Sequence, residues 1–300
     1  SVFASASNYL KGLMQATRKN MERMEEHVVG ADDQALQYML TESHWDSKAV
    51  MNQVAQEANL LLGGDESCLL LDESGFEKKG EHSVGVACQW NGRLGKVDNC
   101  QVGVFAALGR GSRATLIDFR LYLPERWSQE EQRCEKSGIP ESCRHFKIKS
   151  ELALEMVRHQ RQQGIHFTWV GADGGYGKEP AFLRGLNNMD EFFVVDVHKD
   201  QLIYLEDPQP VIPQRKNNKR GRKTSRYQAQ TKPVRVDNWK ENQPEEAWQR
   251  YKLRDSTKGE LIVEILHKRT SLASACAPGT QFAGNLQIYL IQCARRNKNT

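Results

Sequence analysis

The spacing of apolar residues changes character twice along the chain. Up to residue 64 it is helical: Met21, Met24 and Val28 form one group and Leu36, Met39 and Leu40 another, with Gly30 between them. Asp46 or Ser47 is placed to cap a further helix carrying Val50, Val54 and Leu61, which Gly63-Gly64 stops. From Cys68 the apolar runs are short and bounded by turn residues. Leu69-Leu70-Leu71 leads into Asp72, and Gly75 breaks the pattern. Such an all-apolar run predicts a strand buried on both faces, with Asp72 at or near its C-terminal end. Ser83–Cys88, Cys100–Ala107 and Ala114–Tyr122 read as strands joined by short links, which favours antiparallel neighbours. The polar stretch 124–147 reads as a loop. Ser150 then caps a helix with Leu152, Met156 and Val157 on one face, and Gly164 ends it. A strand from Phe167 runs to Asp173, Pro180 lies in the first turn of a helix through Leu183 and Leu186, and Phe192–Val197 is a buried strand. Beyond residue 206 prolines punctuate the chain, and three further strand-like runs follow, Trp248–Leu253, Leu261–Leu266 and Leu286–Cys293.

An antiparallel start followed by helix–strand crossovers, which are right-handed, describes an α/β fold with a mixed sheet and flanking helices. This is the element order of the RNase H-like (integrase-like) fold. In that order the first strand and the strand after the first helix lie side by side at the sheet centre, which brings Asp72 and Asp173 together. The expected division is a helical region 1–64, the first part of an RNase H-like core at 65–205, and a β-rich insertion with a basic loop at 206–300. The helical region reads as a small bundle or as a DNA-end-binding or dimerising module.

Composition narrows the class. The chain has 300 residues, 39% hydrophobic and 27% charged, enough for a buried core. No apolar run has the length of a membrane helix, and the start Ser1-Val2-Phe3 lacks the order of a secretory signal and an initiator Met. The seven cysteines are scattered without a C-x-x-C pair, the pattern of reduced thiols in a cytoplasmic protein. Net charge is only +4, but its distribution is uneven. Arg215, Lys216, Lys219, Arg220, Arg222, Lys223, Arg226, Lys232 and Arg235 fall in a stretch with no acid between Asp207 and Asp237. A cationic run of this kind is either a solvated loop or a contact for phosphate.

Two aspartates at neighbouring strand ends repel unless a cation lies between them, and all-oxygen ligands suit Mg²⁺ or Mn²⁺. Two such ions can flank a scissile phosphate. Gly171, Gly174 and Gly175 around Asp173 leave backbone that DNA can approach. Either aspartate is also a good turn former or helix cap, and spacing alone leaves these readings about even. The glycines fail the G-x-G-x-x-G spacing of a dinucleotide site. Asp98 and Asp118 read as structural, Asp196 and His198 on the same sheet edge as turn residues first and as lining of the groove second, Glu260 and Glu264 as solvated, and Glu245 and Glu246 as the opening of a short helix. No local signal assembles a Ser/His/Asp or Cys/His set, and there is no P-loop.

The blocks Leu71–Phe76, Lys79–Ala87, Gly95–Val104, Leu121–Pro124, Gly171–Gly177 and Leu253–Gly259 together resemble a bacterial insertion-sequence transposase of the DDE class. The resemblance covers nearly the whole chain. It implies an RNase H-like catalytic core interrupted by a β-strand insertion, with Asp72 and Asp173 as the first two catalytic, metal-holding acids. It also implies Mg²⁺-dependent nicking of transposon ends and joining of 3′-hydroxyls to target DNA, by a homo-oligomer assembled on double-stranded DNA. The family's third acid is a Glu on a helix after the insertion, and no such helix is found here. The expectation is therefore a transposase cut short, which binds DNA with little or no cleavage by residues 1–300 alone. The alternatives are a non-catalytic DNA-binding remnant and another RNase H-like nuclease, such as a resolvase.

Neutralising Lys219, Arg220, Arg222 and Lys223 should weaken DNA binding. It should also flatten the log–log salt dependence by roughly one unit of slope per lost contact, read in a salt titration; an unchanged affinity and slope would mark the run as a solvated loop.

Overall fold

The computed structural model of the chain describes residues 1–212, 227–256, 259–272 and 287–297. The chain divides into two units, Ser1–Gln53 and Val54–Thr300.

In the first unit α1 (Val2–Gln15), α2 (Met21–His27) and α3 (Asp33–Thr41) surround Ala16, Met24 and Leu36. The side chains of Asn20 and Asp32 cap α2 and α3 by accepting from Arg23 N (3.1 Å) and Ala35 N (2.6 Å). Asp46 caps α4 (Ser47–Leu62), accepting from Lys48 N at 2.9 Å and Ala49 N at 3.0 Å. The buried stripe of α4 is Ala55, Ala58 and Leu62, whereas Val50, Val54 and Leu61 are exposed at 48%, 39% and 79%. The expected face is thus turned outward. Two alanines mark the inward stripe, and they let the helix approach closely without looking strongly apolar.

The second unit is built on a mixed sheet. Its strands are β1 (Cys68–Glu77), β2 (Ala87–Asn91), β3 (Lys96–Arg110) and β4 (Arg113–Leu121), then β5 (Trp169–Ala172) and β6 (Phe192–Val195). The order is β2-β3-β1-β5-β6, with β4 also paired to β3. The β3 pairings are antiparallel, and β1–β5 and β5–β6 are parallel. Between β4 and β5 the chain forms α5 (Glu125–Gln129), α6 (Glu131–Lys136), a 3₁₀ turn at Glu141–Cys143 and α7 (Lys149–Gln162). Between β5 and β6 it forms α8 (Gly174–Gly177) and α9 (Pro180–Asn188).

Four local expectations change. Ser83–Val86 is a turn, and the strand is Ala87–Asn91. The stretch 124–147 is not an open loop: it folds over its own apolar cluster of Val86, Leu123, Trp127, Cys134 and Ile139, with Trp127 Nε1 donating to Val86 O at 2.8 Å. Ser150 lies inside the first turn of α7 and does not cap it; the Ile148 N–H donates instead to Glu151 Oε2 at 2.9 Å. Gly75 does not end β1. It lies within the strand against the Asn91 side chain, where a Cβ would come 2.6 Å from Asn91 Oδ1.

One face of the sheet carries the core. Leu69, Leu71, Val104, Ala106, Leu108 and Val170 pack with Met156 and Val157 of α7 and with Phe182, Leu183 and Leu186 of α9. The register puts Leu70, Phe119, Trp169, Phe192 and Val194 on the opposite face, where they are 44–66% exposed. The expectation that β1 is buried on both faces is therefore corrected. Burial along it alternates, and a run of three leucines has no polar residue to reveal that period. Arg161 at the end of α7 clasps Glu191 at the start of β6 through two bonds of 2.8 and 2.7 Å while lying over the Phe167 ring at 3.5 Å.

A second sheet comprises β7 (Leu202–Tyr204), β8 (Val234–Arg235), β9 (Gln249–Ser256), β10 (Gly259–Leu272) and β11 (Gln287–Asn297), with α10 (Val236–Glu241) after β8. Its strand order is β11-β10-β7-β8, and β9 pairs with β10. Ile203, Val236, Trp239 and Leu266 join the core of the first sheet. Glu245 opens a short 3₁₀ turn, Glu245–Ala247. Glu260 is exposed, but Glu264 is buried, at 8% exposure, with Arg250 Nε at 2.7 Å; the expectation of two solvated acids on this strand holds only for Glu260. Cys68, Cys88, Cys100, Cys134 and Cys143 are free thiols. No helix among the described residues is long and apolar enough to cross a membrane.

One-sided burial predicts unequal costs for adjacent leucines. Leu71→Ala should lose about 2–5 kcal/mol in urea unfolding, and Leu70→Ala about 1 kcal/mol or less. Equal losses would contradict the alternation.

Candidate acidic site between β1 and β5

The parallel ladder between β1 and β5 ends at Leu71 paired with Ala172. The next residue on each strand is an aspartate, Asp72 and Asp173, so the two stand side by side on strands about 4.8 Å apart. Asp72 is not at the end of its strand. β1 runs on to Glu77 because its other edge stays paired with β3, with Asp72 opposite Phe105. Asp72 thus marks where β1 loses its parallel neighbour.

Past β5 the chain turns at once into α8. Asp173 caps that helix, its Oδ1 accepting from Gly175 N at 2.9 Å, so its capping role is realised. Asp72 Oδ1 accepts from Glu73 N at 2.7 Å. Both aspartates are exposed. Among the described residues neither has a Lys, Arg or His in ion-pair contact. Their neighbour Glu73, on the covered side of β1, is neutralised by Lys149 Nζ at 2.7 Å. Lys149 also lies 5.5 Å above the Tyr122 ring.

The glycines around Asp173 make room for the protein's own groups. A Cβ at Gly171 would come 3.0 Å from Leu70 Cδ2, one at Gly174 3.4 Å from the His198 ring, and one at Gly177 1.8 Å from Asp196 O. The last is a backbone contact that no side chain at 177 can satisfy, and it presses α8 onto the end of β6.

Asp196 continues the β5–β6 ladder. Val195 pairs with Ala172, and the Asp196 N–H donates to Ala172 O at 3.1 Å. Asp196 therefore follows Val195 as Asp173 follows Ala172, on the same rim of the sheet. It is exposed, and His198 beside it faces Gly174. The repeated form of an apolar run ending in Asp was the available signal for it. Asp118 is 4% exposed, bonded to Arg120 and to Gln160 Nε2, and Asp98 is paired with Lys96; both are structural.

Tyr176 carried no sequence signal beyond lying three residues after Asp173. It is 3% exposed, its ring centroid is 5.4 Å from that of Phe182, and its hydroxyl has no hydrogen-bond partner among the described residues. Burial holds this phenol well above its ordinary range, and the charges of Glu73, Asp173 and Asp72, in that order, add to the effect.

Arg215, Lys216, Lys219, Arg220, Arg222, Lys223 and Arg226 lie outside the described residues. Of the same run, Arg235 is held by Asp237 through bonds of 2.9 and 2.6 Å. Among the described residues, three metal-ligating groups lie mutually within 4.8 Å only at Glu25, Asp32 and Asp33 in the first unit, where Asp32 already caps α3.

A protein of Microchaete diplosiphon named "Probable transposase for insertion sequence element IS701" is 27% identical over 185 residues, 59% of this chain and 44% of that protein. The chain thus spans less than half the length of the curated relative it matches. Residues 3–260 match the family described as DDE superfamily endonuclease, and the chain belongs to that family.

Proposed function

We propose that this chain carries two metal-holding acids of an insertion-sequence transposase. Its core is RNase H-like, and the division is a helical region 1–64, a core 65–205 and a β-rich insertion 206–300. The observation that supports the reading is the β1–β5 register, which ends on Leu71 and Ala172, one residue before Asp72 and Asp173. An all-oxygen pair without a cationic partner fits Mg²⁺ or Mn²⁺. A divalent ion bound there supplies activation of an attacking oxygen and stabilisation of the leaving one. Asp72 and Asp173 hold it, Lys149 keeps Glu73 from adding a further charge, and α8 fixes the Asp173 side chain through its cap. The substrate in this reading is double-stranded DNA at element ends and targets, gripped by the basic run from Arg215 to Arg226 and handled by a homo-oligomer in the cytoplasm.

A second reading, DNA binding without cleavage, is favoured by the ligand count. Among the described residues no third His, Cys, Asp or Glu joins Asp72 and Asp173 in a set of ligand atoms mutually within 4.8 Å.

The test incubates the purified chain with end-containing duplex DNA, with and without Mn²⁺, beside Asp72→Asn and Asp173→Asn. The expected outcome is DNA retention strengthened by the metal, with that gain lost in both variants, and little strand cleavage. Robust cleavage that both substitutions abolish would discard the second reading. Retention indifferent to metal and to both substitutions would overturn the site.

A further inference from the structure

Tyr176 is the one large buried side chain of the acid site whose polar end has no partner among the described residues. Packing alone does not explain a tyrosine here. The ring is held by the core and by Phe182, and a phenylalanine would make the same contacts without burying a hydroxyl. A buried hydroxyl without a partner costs free energy, so tyrosine is the worse choice unless its hydroxyl meets an acceptor in the working state. The local surroundings limit what that acceptor is. A phenol is protonated at neutral pH and offers an O–H donor, so what it calls for is an oxygen acceptor. Tyr176 is also tied to Asp173 by the backbone, its N–H donating to Asp173 O at 3.2 Å. The same short helix therefore carries one carboxylate of the pair and, one turn on, the buried donor.

We propose that Tyr176 is a positioning residue of the divalent-ion site, its hydroxyl donating from the covered side of the sheet to an oxygen of the ion's ligand shell, carboxylate or water. This rests on the reading of Asp72 and Asp173 as ion ligands. Metal-holding carboxylates are themselves held by hydrogen bonds, and loss of such a partner weakens metal affinity by about 10–100-fold. Glu73 already has a side-chain donor in Lys149, whereas Asp72 and Asp173 accept from backbone N–H groups, of Glu73 and Gly175.

The experiment measures Mn²⁺ affinity by the electron paramagnetic resonance of free Mn²⁺, on the full chain, Asp173→Asn and Tyr176→Phe, with metal-free thermal melts of each. Tyr176→Phe should bind Mn²⁺ about 10–100-fold more weakly while melting, metal-free, at or above the parent temperature. Unchanged Mn²⁺ affinity in Tyr176→Phe, with affinity lost in Asp173→Asn, would overturn the role of Tyr176 and leave the site standing. A parent chain that takes up no Mn²⁺ would remove both. A second measurement needs no change at 176: Mg²⁺ added to the parent should shift the near-ultraviolet absorbance of a buried tyrosine, and Asp173→Asn should abolish that shift. Absence of the shift in a parent that binds Mn²⁺ counts against the proposal.

Discussion

The parallel pairing of β1 with β5 is the constraint on which the site depends. Four residues of each strand pair, from Cys68 with Trp169 to Leu71 with Ala172. A slip of one residue would send Asp72 and Asp173 to opposite faces of the sheet. The register is held from the covered face, where Leu69, Leu71 and Val170 are locked into one core with α7 and α9. The crossover is pinned at its far end by Arg161 and Glu191. Hydrophobic packing thus fixes the strand register that sets Asp72 and Asp173 at neighbouring positions, and among the described residues neither carboxylate has a cationic side chain in ion-pair contact.

The same rim shows how the protein limits charge. Glu73 follows Asp72 directly, and an unneutralised carboxylate there would add to the repulsion. Lys149, at the first position of α7, removes that charge. The glycines of the segment after β5 let α8 lie against β6, and Gly177 has no room for a side chain. Asp173 is therefore aimed by a turn that packing and backbone contact both restrict. Tyr176, on the same short helix, is buried in the core beside Phe182.

Much of this was legible in the residues. Short apolar runs ending in Asp, with a helix between them, imply parallel neighbours, and β1 and β5 do pair in parallel up to the residues before Asp72 and Asp173. The helix expectations at Met24, Leu36, Met156 and Leu183 hold because amphipathic spacing is a strong signal. Other features were hidden for physical reasons. Leu69-Leu70-Leu71 conceals its period, so a one-sided strand looks two-sided. Ala55 and Ala58 carry too little apolar area to mark the inner face of α4. The helices around Trp127 are short and polar, and their cluster forms only when Val86 folds back onto them. Tyr176 and the Lys149–Glu73 pair depend on tertiary contact and leave no spacing to read.

The most direct measurement of the central claim is anomalous diffraction from crystals of the chain grown or soaked in Mn²⁺. The account predicts one manganese peak between β1 and β5, contacted by an oxygen of Asp72 and an oxygen of Asp173 at roughly 2.1 Å, the distance usual for a small hard divalent ion. A peak bound by one aspartate with the other turned away, or manganese only at Glu25, Asp32 and Asp33, would contradict it.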